Sequence, residues 1–271
     1  MTAASPSAVA PAADEPVLLR TDAAGVATLT LNRPAARNAL SVGLMEALQR
    51  AIADVAADET VKVVVLAANG PAFCAGHDLK EVRANPGRAS YEALFRQCSE
   101  LMLALVRLPK PVIAKVHAMA TAAGCQLVAS CDLAVATEGA RFATPGVNIG
   151  LFCSTPMVAL SRNVGRKQAM EMLLTGHPID AATALSWGLV NRVVPADVLD
   201  DTVTEMAAGL VAKSPLTLAI GKEAFYRQLD MPLADAYAYA SEVMTTNMLA
   251  HDAEEGIDAF LGKRKPEWTG R

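Results

Sequence analysis

Two hydrophobic periodicities alternate through the first half of the chain, and that alternation is the pattern of a layered α/β fold. Val26 to Leu31 reads as a strand, Asn32-Arg33-Pro34 breaks it, and Leu44, Leu48, Ile52 and Val55 recur at helical spacing behind Ser41, an expected N-cap. Val61 to Ala67 is a strand of nearly continuous Val, as in strands covered on both faces. Asn69-Gly70-Pro71 turns the chain, Glu92 to Leu105 reads as a helix, Pro111 to Val116 as a strand and Leu133 to Ala136 as another.

From about Met157 the pattern becomes helical, over Lys167 to Leu174, Ala181 to Trp187, Leu199 to Ala212, Pro215 to Leu229 and Leu233 to Leu249, with one short strand at Leu189 to Val194. No Pro- or Ser-rich linker separates the halves, which predicts one α/β core over residues 15–200 and a helical region over 201–271. Residues 1–14, mostly Ala, Pro and Ser, read as a disordered tail without the cationic start of a secretory signal.

A hydrophobic content of 52% in 271 residues is ample for a large core. The formal charge of -4 supplies no global attraction to nucleic acid or to an anionic membrane. Every apolar stretch is broken well before the roughly 18 residues that span a bilayer, so neither partner is expected. Five cysteines, an odd number without a framework spacing, predict free thiols in a reducing cytoplasm. Cys74 with His77, or Cys125 with Cys131, lacks the further pair that would complete four metal ligands, so no metal is expected.

Two segments carry the chemistry, Phe73-Cys74-Ala75-Gly76-His77-Asp78-Leu79-Lys80-Glu81 and Ala122-Ala123-Gly124-Cys125-Gln126-Leu127-Val128-Ala129-Ser130-Cys131-Asp132. Each places small residues where the chain passes into a helix, so that main-chain N–H groups can approach a ligand. Two such donors are able to hold a negatively charged oxygen.

With Leu31-Asn32-Arg33-Pro34, Arg37-Asn38-Ala39-Leu40, Phe142-Ala143-Thr144-Pro145, Leu174-Thr175-Gly176, Gly188-Leu189-Val190 and the closing Phe260 to Pro266, these segments resemble the crotonase, or enoyl-CoA hydratase/isomerase, superfamily. The resemblance runs from about residue 17 to Trp268. It implies a spiral of ββα units with a helical C-terminal trimerisation region, trimers that often pair into hexamers, and an acyl-CoA thioester as substrate, coenzyme A being part of the substrate and no other cofactor being needed. Carried over by position, the oxyanion donors would be the main-chain N–H groups of His77 and Ala123. Arg37 and Lys80 would face the phosphates, with Ala75 and Asp78 in the same binding segment, and Lys263, Arg264 and Lys265 could add charge from the last helix. The His77 side chain is expected to fill space or to hydrogen-bond, and Asp78 and Glu81 to order a helix start.

The chain departs from the family where hydration needs an acid and a base. Gln126 and Gly146 stand at the two positions that hydratases fill with glutamate, and each lost acid–base function forfeits about 10²–10⁴ in rate. Leu151-Phe152-Cys153-Ser154-Thr155-Pro156 replaces a Gly-rich stretch and predicts a stiffer pocket floor; Asn148, Cys153 and Ser154 are the candidate substitute groups. Three activities follow as alternatives: a hydratase-type lyase of fatty-acid metabolism using other groups, a decarboxylase of malonyl-type thioesters, and a non-catalytic acyl-CoA binder.

Overall fold

The computed structural model describes residues 15–271, and the tail expected over 1–14 lies outside them. β1 (Leu18–Ala23) and β2 (Val26–Leu31) form an antiparallel hairpin closed by Ala24 and Gly25, with φ of 49° and 79°. Two successive residues of positive φ are what a two-residue hairpin turn requires. Periodicity finds β2 and misses β1, because Arg20 to Ala23 are exposed on an edge strand. α1 (Val42–Ala57) follows, its first turn capped by the Ser41 hydroxyl, which accepts the Leu44 N–H at 3.1 Å.

Each later turn of the chain lays one strand in a large sheet, one in a small sheet, and then helix. The first comprises β3 (Val63–Ala68), β4 (Ala72–Cys74), α2 (Leu79–Ala84) and α3 (Arg88–Arg107). The second comprises β5 (Val112–Val116), β6 (Met119–Thr121) and α4 (Ala123–Ala129). The third comprises β7 (Leu133–Thr137), β8 (Arg141–Ala143), α5 (Pro156–Leu160) and α6 (Arg166–Thr175). β9 (Ile179–Asp180), α7 (Ala181–Trp187) and β10 (Arg192–Val194) close the spiral, and α8 (Leu199–Val211), α9 (Pro215–Gln228), α10 (Leu233–Met248) and α11 (His251–Leu261) complete the chain. The large sheet runs β1-β2-β3-β5-β7-β10, parallel from β2 onward, and the small one β4-β6-β8-β9, parallel except at β9.

The unbroken Val run has a direct cause. Val64 and Leu66 join Val112, Ala114 and the small sheet's Phe73 and Phe142 in one core, while Val63 and Val65 join Ile113, Val135 and the α8 residues Leu199, Val203 and Ala207 in a second. Both faces of β3 are therefore covered. The 200/201 boundary falls inside α8, which closes that second core. The strand expected from Leu189 begins only at Arg192, because the Leu189 N–H turns back to the Ala184 carbonyl at 2.9 Å. β4, β6, β8 and β9 are too short to show a period.

The C-terminal helices are tied to this core by a partly buried ion pair. Lys222 Nζ on α9 donates to Asp132 Oδ2 at 2.7 Å and to the Leu105 and Lys110 carbonyls, while Asp132 Oδ1 accepts from the Tyr226 hydroxyl at 2.9 Å. Beyond α9, Leu233, Tyr237, Leu249, Phe260 and Leu261 stay exposed. No single helix among the described residues is long and apolar enough to cross a membrane.

Candidate functional site

The two singled-out segments meet at the mouth of the spiral. β4 ends at Cys74, and the next residues are strapped to the loop before α1: the Ala75 N–H donates to the Arg37 carbonyl at 3.0 Å, Leu40 N–H to the Gly76 carbonyl at 2.7 Å, and Asp78 N–H to the Leu40 carbonyl at 3.2 Å. This is a parallel bridge centred on His77, and in such a bridge the central residue's own N–H faces away from the partner strand. Asn38, wholly buried with φ of 53°, holds the loop by donating to the Asn69 and Ala72 carbonyls.

The second segment is set by Ala122, with φ 53° and ψ -120°. A non-glycine residue in such a conformation costs about 1–3 kcal/mol. It persists here because the Ala122 N–H bonds the Ala143 carbonyl and its own carbonyl accepts the Gln126 N–H. Ala123 then occupies the first helical position, whose N–H has no partner within the helix.

Two glycines bring the segments together. A Cβ on Gly124 would lie 2.2 Å from the Cys74 carbonyl oxygen, and a Cβ on Gly76, at φ 85°, would lie 3.2 Å from Ala123 N. Among the described residues neither the His77 nor the Ala123 N–H has an acceptor. Two preorganised, unspent donors beside one another can stabilise an oxyanion, and losing one from such a pair typically costs about 10²–10³ in rate.

The His77 ring lies edge-on to Phe95 of α3, centroids 5.7 Å apart, with both ring nitrogens buried and unpartnered. It fills space, and the hydrogen bond that was its other expected role is absent among the described residues. Burial pushes the imidazole below its ordinary range, outweighing the nearby Leu40 carbonyl, so at neutral pH it carries no charge.

Gln126, 4% exposed on α4, accepts a weak contact from the Cys98 thiol at 4.0 Å. Gly146 lies in a short 3₁₀ turn after β8, and its N–H points at Cys153 Sγ, 3.3 Å away. A Cβ there would meet the Leu151 carbonyl oxygen at 2.7 Å and Cys153 Sγ at 2.9 Å. A side chain at position 146, where the resemblance implies a second carboxylate, would therefore meet the following loop. Burial pushes the Cys153 thiol up, away from nucleophilic thiolate. Asn148 is exposed beside Gly176, and the exposed Ser154 hydroxyl donates to the Phe152 carbonyl. Thr144, part of the Phe142 to Pro145 motif but given no role there, is wholly buried, and its hydroxyl has no partner among the described residues.

Among the residues that the resemblance assigns to the phosphates, Arg37 and Lys80 are exposed and free of side-chain partners among the described residues, and Ala75 is half-buried. Asp78 is already engaged: its carboxylate caps α2 at Lys80 N–H and pairs with Arg33 at 3.0 Å. Glu81 instead reaches the Val42 N–H at the start of α1. In the closing basic run, Arg264 is bound to Glu255 at 2.6 Å, leaving Lys263 and Lys265 uncommitted. All five cysteines are buried and free.

The sequence pattern of the enoyl-CoA hydratase/isomerase family matches residues 21–271. The chain is 47% identical over 245 residues to enoyl-CoA hydratase domain-containing protein 3, mitochondrial, of Rattus norvegicus, covering 90% of this chain and 82% of that protein. Among solved structures it is similar to an enoyl-CoA hydratase of Mycobacterium smegmatis, at TM-score 0.92 and 58% identity over 94% of this chain and 99% of that one. It is also similar to human enoyl-CoA hydratase domain-containing protein 3, at TM-score 0.91 and 45% identity over 93% and 100%. The rat relative's name is mitochondrial, which pulls against the cytoplasmic expectation.

Proposed function

Because the chain belongs to the enoyl-CoA hydratase/isomerase family and has the crotonase fold, we propose that it binds an acyl-CoA thioester with the carbonyl oxygen between the His77 and Ala123 N–H groups. The observation that carries this reading is the pair of free N–H donors held together by Gly76 and Gly124. Arg37 and Lys80 approach the coenzyme A phosphates, and Ala75 lines the same segment; Asp78 serves by fixing that segment through Arg33. The exposed apolar side chains of α10 and α11 support assembly as a homotrimer or a dimer of trimers. Five free thiols suit a reducing compartment, the cytoplasm in our reading.

Hydration is not the reaction this site favours. Gln126 supplies no exchangeable proton near neutral pH, and the loop through Cys153 occupies the second acid's place. The closure favours a second reading, decarboxylation of a malonyl-type thioester. There the bond to the free carboxylate breaks, its electron pair enters the enolate held by the two N–H groups, CO₂ leaves, and solvent returns a proton to the α-carbon. No paired carboxylates are required. Non-catalytic acyl-CoA binding is the remaining alternative.

The test is crotonyl-CoA hydration beside a two-glutamate hydratase, with CO₂ release from methylmalonyl-CoA measured in parallel. The expected hydration rate is at least about 10³ lower than the comparator's. A rate within about tenfold, roughly 1.4 kcal/mol of barrier, overturns the reading. Failure to bind either thioester would overturn the acyl-CoA assignment itself.

A further inference from the structure

The outer face of α3 carries an open groove of about 710 Å³ lined by Arg88, Tyr91, Glu92, Phe95, Arg96 and Ser99. We infer that this groove receives the far end of the acyl group, and that Arg96, with Arg88, selects thioesters whose acyl chain ends in a carboxylate. The inference rests on the acyl-CoA reading of the same site and adds a substrate class to it.

Three observations lead there. First, the groove adjoins the reacting centre: Phe95, 42% exposed, is the residue whose ring meets His77, and His77 supplies one of the free N–H donors. An acyl chain leaving the carbonyl along Phe95 enters the groove. Second, its wall is mixed. Residues 88, 91, 92, 95 and 99 recur at three- and four-residue spacing on one helix face, so the Tyr91 ring lies between Phe95 and Arg88, while Arg96 follows Phe95 directly and borders the same groove. Arg88 lies about 10 Å along the axis from Phe95 at the α-helical rise, a span that a six-carbon acyl chain and an arginine side chain cover together.

Third, the charge is unbalanced. Arg88 Nε pairs with Glu92 at 2.7 Å, but Arg96 has no ion pair or side-chain hydrogen bond among the described residues. Two guanidinium groups and one carboxylate leave the groove positive on a chain whose net charge is -4. A wholly alkyl chain gains nothing from an arginine at its end. A terminal carboxylate gains a planar, two-pronged donor that is always charged.

The experiment is equilibrium binding of adipyl-CoA and hexanoyl-CoA, equal in carbon count and differing in the terminal carboxylate, to the full chain. Adipyl-CoA is expected to bind about two- to fivefold more tightly at low salt, the upper range for an exposed ion pair. The preference should shrink as ionic strength rises. Arg96→Ala should bring adipyl-CoA down to the affinity of hexanoyl-CoA, with Arg96→Lys intermediate. Equal affinities in the unaltered chain, or a preference that survives an Arg88→Ala, Arg96→Ala double variant, overturns the inference and leaves the acyl-CoA reading standing. Binding of neither thioester defeats that reading, and this inference with it.

Discussion

Cys153 stands where a second catalytic carboxylate would have to enter: its sulfur accepts the Gly146 N–H at 3.3 Å and lies 2.9 Å from any Cβ at position 146. Restoring two glutamates is therefore more than a matter of chemistry. A Gln126→Glu, Gly146→Glu double variant should lose about 1–3 kcal/mol or more of stability through overpacking and gain no hydration. Thermal unfolding and crotonyl-CoA turnover check both parts. A well-folded double variant that hydrates would show that the loop yields.

Gly124→Ala should be among the most damaging small substitutions, because its Cβ falls 2.2 Å from the Cys74 carbonyl oxygen, which is backbone and has nowhere to go. We expect at least about 3 kcal/mol of destabilisation, at the upper end for overpacking, with loss of acyl-CoA affinity as the two donors separate. Gly209→Ala on α8 is the contrast. Nothing lies within 4 Å of its Cβ, and the helix should gain about 0.5–1 kcal/mol. Urea unfolding of the pair measures both.

The backbone role of His77 separates from its ring. His77→Phe retains the N–H and replaces one largely buried, uncharged ring by another, so acyl-CoA affinity should stay within about threefold, roughly 0.7 kcal/mol. His77→Pro deletes the donor and should abolish measurable binding in a protein whose circular dichroism stays native. Since burial lowers the ring's proton affinity, this residue favours folding above its unfolded pKa near 6.5 and opposes it as pH falls. The Phe variant should accordingly lose less stability between pH 7 and pH 5.

Lys222→Ala should cost about 3–5 kcal/mol, because it strands the Asp132 carboxylate, largely shielded from water, with only the Val112 N–H and Tyr226 hydroxyl as partners. Hydrogen exchange should then speed up first in α9 and the helices beyond it. Unchanged exchange there would mean that those helices are held by other contacts.

Asp252, 1% exposed, accepts bonds from the Ser214 hydroxyl and from the Thr269 and Gly270 N–H groups, and so pins the last residues of the chain to the start of α9. Despite the opposing cost of burial, these donors hold its pKa at about 2. The depressed value means that the stabilisation is complete above the unfolded pKa near 3.9 and is lost as pH falls toward 2. It amounts to about 2–3 kcal/mol. Asp252→Asn should flatten the stability profile in that window, as read by denaturant titration at pH 5, 4 and 3.

Much of this was legible from residues alone. The near-continuous Val run foretold a strand buried on both faces, and Ser41 was recognisable as a cap from its place before the helical stripe. Strands of two or three residues left no period to read. Phe95 and Cys98 carried no motif; they reach His77 and Gln126 because α3 crosses those residues, and a stripe of mixed residues on one helix face is the single trace they leave in sequence.

The sequence by itself determined the longer strands of the large sheet and the main helices, the small residues of both donor segments, and the absence of carboxylates at 126 and 146, since periodicity and residue identity are local properties. Only the tertiary structure decided that the His77 and Ala123 N–H groups remain unspent side by side, that Gly124 must be glycine, and that the loop through Cys153 seals the space beside Gly146. Those facts depend on how closely backbones far apart in the chain approach one another. That approach is set by the packing of the whole spiral, to tenths of an ångström that no single residue encodes.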